Sequence, residues 1–140
     1  MAQRVLLPSL ALRVLTAVAL LGVAAVHLRI AGNYSGLGRH PLALSDQFYA
    51  QAGLAFLLAA ALLLRPHLLV WLATAAFAAG SLAVLVYSRY RALPVYGFDG
   101  HFQESWAVEG AKAAAWWEAL SLGLALAGAG LSRARMRARG

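Results

Sequence analysis

The sequence predicts an all-α protein, a four-helix transmembrane bundle running up, down, up and down, and three observations carry that reading. Of 140 residues, 62% are hydrophobic and only 12% charged, whereas a water-soluble domain is about 45–50% apolar and about 25% charged. The charges are clustered, and the stretches between clusters are of membrane-crossing length. Those stretches are rich in Ala and Leu and lack the polar/apolar alternation of a barrel strand, so their backbone groups must be satisfied within helices. A mean hydropathy of +0.70 excludes intrinsic disorder. The absence of cysteine excludes a disulfide framework, thiol redox chemistry and thiolate metal ligation.

The spans follow in order. Arg13 and Arg29 enclose 15 uncharged residues, and the apolar run upstream extends them to a first span over residues 10–30, with Arg13 snorkelling toward the headgroups. Asp46 and Arg65 enclose 18 residues, giving a second span over 47–64. Arg65 and Arg89 enclose 23, giving a third over 67–88, and Lys112 and Arg133 enclose 20, interrupted only by Glu118, giving a fourth over 113–132. Residues 1–132 therefore form one transmembrane domain, and 133–140, RARMRARG, a basic tail.

Arg65-Pro66-His67 is long enough only to reverse the chain between antiparallel helices. One side of the membrane then carries Arg4, Arg13, Arg65, Arg133, Arg135, Arg137 and Arg139, and the other carries Arg29, Arg39, Arg89, Arg91 and Lys112 together with Asp46, Asp99, Glu104 and Glu109. The excess of arginine places both termini on the cytoplasmic side, as a multi-pass membrane protein. The first apolar stretch is long enough to span and three more follow it, which argues against a cleaved signal peptide. The arginine tail reads as a topology determinant with capacity for anionic lipid; no wider basic surface points to nucleic acid.

Helices in lipid associate through close backbone approach at small residues. Candidate ridges are Ala55 and Ala59 on the second span, Ala75, Ala79 and Ala83 beside Ala76 and Gly80 on the third, and Ala119, Gly123 and Ala127 on the fourth. Gly22 is the close-contact point on the first. Trp71, Trp106, Trp116 and Trp117 stand near span ends, as an interfacial belt requires.

Polar side chains inside the spans are few and costly, and so informative. At a rise of about 1.5 Å per residue, His27, Gln51, Tyr87 and Glu118 all reach the outer third of the bundle, one from each helix. Two readings stay open. Either the four form a polar clasp that fixes helix register, or they line a pocket for a proton, an ion or the head of a quinone or lipid, with His27 and Glu118 as an acid–base pair. No metal is expected: His27, His40 and His101 share the outer side, but no spacing among them matches a metal-binding motif. No nucleophile triad, phosphate loop or paired-carboxylate spacing is present, so the chain reads as non-enzymatic, and no cofactor is indicated.

The loop from Arg89 to Lys112 is long and carries Tyr90, Tyr96, Phe98, Phe102 and Trp106, which predicts a folded cap. In it Pro94 is extended, Gly97 and Gly100 turn, and a helix begins near Phe102. Glu104 and Glu109 read as solvated surface, and Ser45 or Asp46 as the cap of the second helix. Together the loops 31–46 and 89–112 would roof the polar cluster. They are also the surfaces a protein partner would meet if the chain were an accessory subunit of a larger membrane complex, the alternative to ligand binding.

Four stretches, AAVHLRIAGNY, FYAQAGLAFLLAAAL, AGSLAVLVYSRYRALPVYGF and the glutamate of WWEAL, resemble small four-span integral membrane proteins of high-GC bacteria, a group with no established activity. The resemblance runs roughly from His27 to Leu126. It implies the same architecture and aligns His27, Tyr34, Gln51 and Leu93-Pro94 with residues of that pattern, adding Tyr34 to the candidate ligand-binding set of His27, Gln51, Tyr87 and Glu118. The loop after Phe98 is longer here than in that pattern.

Overall fold

The structure, a computed structural model, describes residues 2–97 and 101–138. Phe98, Asp99, Gly100, Arg139 and the last residue of the basic tail lie outside the described residues, as do the side chains of Arg4 and His101. Four helices make up the fold: α1 (Ala2–Ala31), α2 (Leu44–Leu64), α3 (Leu68–Tyr90) and α4 (Ala111–Arg137). Each is long and apolar enough to cross a membrane, and each expected span falls on one of them. α4 runs on through the basic segment to Arg137, so that segment is helical.

The helix ends follow from local chemistry. α2 stops before Pro66, which has no N–H to donate and forces Arg65 out of the helical region to φ −141, ψ 71. α3 stops before the extended pair Leu93-Pro94, and α4 starts only after Gly110 takes φ +83, a left-handed conformation that a side chain would strain. The helix expected near Phe102 is thus not formed. Instead β1 (Leu93–Pro94) pairs antiparallel with β2 (His101–Phe102), Leu93 opposite Phe102. At the start of α2 the cap is Ala43, not Ser45 or Asp46; Asp46, one turn in, accepts the Ala43 N–H at 3.1 Å.

α1 is the hub, packed against α2 on one side and α4 on the other, with α3 on the far side of α4. The small residues decide which faces meet. A Cβ on Gly22 would stand 2.4 Å from the Trp117 ring, and one on Gly128 would stand 2.3 Å from the ring of Trp71. Each glycine thus seats an indole from a neighbouring helix. Trp71 is buried in the core with Leu20, Val23, Ala55, Ala59 and Leu62, and so belongs to the packing, not to an interfacial belt. The ridge on α2 faces inward as expected. On α3 and α4 the buried stripes are Trp71, Thr74, Ala75 and Ala78, and Ala114, Glu118, Ser121, Ala125 and Gly128. Ala79, Ala83, Ala119, Gly123 and Ala127 face outward.

Arg13 also ties α1 to α2. Its Nε donates to the Leu62 carbonyl at 3.0 Å and its Nη2 to that of Leu63, satisfying two of the carbonyls that the end of α2 leaves open. It thus caps a neighbouring helix. Replacing it in Arg13→Met is expected to lower bundle stability by about 1 kcal/mol, read from thermal unfolding in micelles.

Candidate functional site

α2 and α3 are joined by the shortest connection, yet they touch least among neighbouring helices. Toward the loop end they leave a cleft of about 430 Å³, within the range of small-molecule sites. Its walls are Leu54 on α2 and Phe77, Val84 and Leu85 on α3; the folded loop closes it above with Leu93, Pro94, Val95 and Phe102. The loop is held there by the Arg39 N–H, which donates to the Tyr96 carbonyl at 3.0 Å, and by burial of Val95 among Ile30, Tyr34 and Leu44. Leu54 and Val84 line the cleft and are exposed, so it is open between α2 and α3.

The inner polar layer brings together three of the expected residues. His27 Nε2 lies 3.7 Å from Glu118 Oε1, too far for a hydrogen bond. The Nδ1 of His27 is 2.8 Å from the Val23 carbonyl; a carbonyl only accepts, so Nδ1 carries the proton. In the neutral ring the lone pair of Nε2 then faces the carboxyl. Gln51 Nε2 donates to Ser81 Oγ and lies 3.5 Å from Glu118 Oε1, crossing the cleft between α2 and α3. Glu118 is 1% exposed, and its Oε2 has no hydrogen-bond partner among the described residues. Ser121 Oγ, one turn farther along α4, is also unpartnered but does not line the cleft.

The fourth and fifth expected residues part company. Tyr34 is buried and lines the cleft, its ring edge-on to Phe48 at 5.0 Å and to Phe102 at 5.7 Å. Tyr87 is 53% exposed and does not line it; the next residue, Ser88, does, so α3 presents Ser81 and Ser88 to the cleft in place of a tyrosine.

An outer polar layer was missed except for Tyr34. Arg89 donates to Glu104 at 2.9 Å with their side chains 5% and 15% exposed, and Tyr34 Oη donates to the other Glu104 oxygen at 2.6 Å. Glu104, expected as solvated surface, is thus the anchor of the loop. Trp106 covers the guanidinium at 5.7 Å, and Arg89 Nε is buried without a partner among the described residues. Glu109 is exposed and pairs with Arg29 at 2.5 Å. The available signal was a carboxylate in an aromatic loop facing the one arginine pair, Arg89 and Arg91, at the end of α3.

His40, 76% exposed, pairs with Asp46 at 2.7 Å. Among the described residues no three His, Asp or Glu side chains gather as metal ligands would. The arrangement that remains is an apolar cleft with a polar floor and a paired charge at its rim, suited to holding the polar end of a molecule whose remainder is apolar. Comparison of the chain with protein-family models, with curated proteins and with solved structures finds no match in any of the three.

Proposed function

We propose that this chain is a non-enzymatic, multi-pass protein of the bacterial cytoplasmic membrane, both termini inside, whose cleft binds or senses a small ligand or ion near the outer surface. The likeness to small four-span proteins of high-GC bacteria is part of the same proposal. One observation carries the binding reading: Glu118 is buried in a span, faces an open cleft and keeps one oxygen without a partner among the described residues. A polar group left so is costly in lipid unless something completes it. A clasp that served only to fix register would be expected to close around the carboxyl.

The test compares wild type, Glu118→Gln and His27→Ala, each purified in lipid nanodiscs, for thermal stability and for small molecules released on extraction and weighed by mass spectrometry. Wild type is expected to retain a discrete species that both variants lose while still folded. Loss of stability alone, with identical extracts from all three, would leave only the clasp.

A further inference from the structure

Resting on that reading of the cleft, we infer that its ligand is an uncharged, lipid-soluble phenol, the hydroquinone type included, which slides in sideways between α2 and α3 and sets its hydroxyl between Glu118 and His27.

The class follows from three features. The donors and acceptors of the floor do not pair off among themselves. The donors are the Gln51 amide, directed at Ser81 and Glu118, and the Ser81 hydroxyl, while the His27 Nδ1–H is spent on Val23. The acceptors are the Gln51 carbonyl, His27 Nε2 in the neutral ring and the Glu118 carboxyl, which accepts at both oxygens when ionised and donates from one when uncharged. The unpartnered Glu118 Oε2 is the sharpest part of that mismatch. A hydroxyl, which both donates and accepts, completes such a floor in either state of Glu118, whereas an ether, which only accepts, leaves His27 Nε2 without a donor.

Charge narrows the choice further. Among the described residues no lysine or arginine lines the floor, and the one arginine on the cleft, Arg89, is already neutralised by Glu104 at 2.9 Å. A phosphate or carboxylate head would therefore be buried beside Glu118 without a compensating cation, which an apolar setting disfavours. The walls favour a flat ring: Phe48 meets His27 edge-on at 5.5 Å and Tyr34 at 5.0 Å, with Phe77 and Phe102 on the same cleft. The folded loop closes the outer end, and the exposed Leu54 and Val84 flank the side gap, so the route runs through the lipid and the apolar chain of the ligand stays in it.

Binding of tritiated 4-nonylphenol to the full chain in nanodiscs tests this, with unlabelled 4-nonylphenol, its methyl ether and lysophosphatidic acid as competitors. Leu54→Trp, which narrows the side gap, supplies the background. The phenol is expected to compete about tenfold better than the ether, and lysophosphatidic acid least. In Glu118→Gln, checked for folding by its melting curve, the phenol is expected to lose most of that advantage. Equal competition by phenol and ether in wild type overturns the inference without any reference to a variant. Stronger competition by lysophosphatidic acid, with binding still abolished in Leu54→Trp, overturns the phenol but leaves the cleft as a ligand site. Undiminished binding in Leu54→Trp overturns both.

Discussion

Gly128→Leu is expected to cost the bundle about 3 kcal/mol, enough to prevent its purification as a folded monomer in mild detergent. The reason is geometric. Even a bare Cβ at that position would lie 2.3 Å from Trp71, and Trp71 cannot yield, because it is 3% exposed and packed in the core of the four helices. The helices would have to separate, and in lipid close packing is most of what holds them together. Gly22→Leu, against Trp117, is expected to act in the same direction. Gly123→Leu is the control: on the same helix, with nothing within 4 Å of a Cβ, it should change stability by about 0.5 kcal/mol or less. Thermal unfolding of the three variants side by side checks the register of α4 directly, since equal losses at 123 and 128 would contradict it.

The second large effect concerns the roof. Removing one partner of the Arg89–Glu104 pair leaves a buried charge uncompensated, which costs about 3 kcal/mol. Glu104→Ala also strips the acceptor from Tyr34 Oη, so the loop from Arg91 to Gly110 should detach from the bundle while the helices persist. Hydrogen exchange is the suitable readout: loop amides, including the Glu104 N–H that donates to the Ser88 carbonyl, are expected to lose protection, and those of α1 and α2 to keep it. The double replacement Arg89→Leu with Glu104→Leu should recover much of the stability, because it removes both charges together. If the single and double variants behaved alike, the pair would not be what holds the loop.

How much of this was legible in the sequence follows from what a helix encodes. The depth of a residue is a matter of counting along the axis, and it correctly set His27, Gln51 and Glu118 at one level. Azimuth is harder, because neighbouring residues at nearly equal depth point about 100° apart. Tyr87 and Ser88 illustrate this: the tyrosine has the chemistry, and the serine has the direction. Ala-rich helices compound the problem, since small residues at i and i+4 occur on every side; on α4 the series Ala119, Gly123, Ala127 looks no worse than Ser121, Ala125, Gly128, yet only the second is buried. Gly22 was readable because it is the one glycine within the first span. The aromatic composition of the long loop announced that it folds, but its partner for Arg89 lies 15 residues away through an irregular path, and no periodicity reports such a contact.

The most direct test of the central claim, that the cleft between α2 and α3 holds a specific molecule, is photocrosslinking from its wall in native membranes. A benzophenone amino acid is placed at Leu54, which lines the cleft, or at Leu57, which is 69% exposed and does not line it, and the intact mass of the irradiated protein is measured. The account predicts one discrete adduct mass from position 54 that is missing at position 57. The same spread of bulk phospholipid adducts at both positions would contradict it.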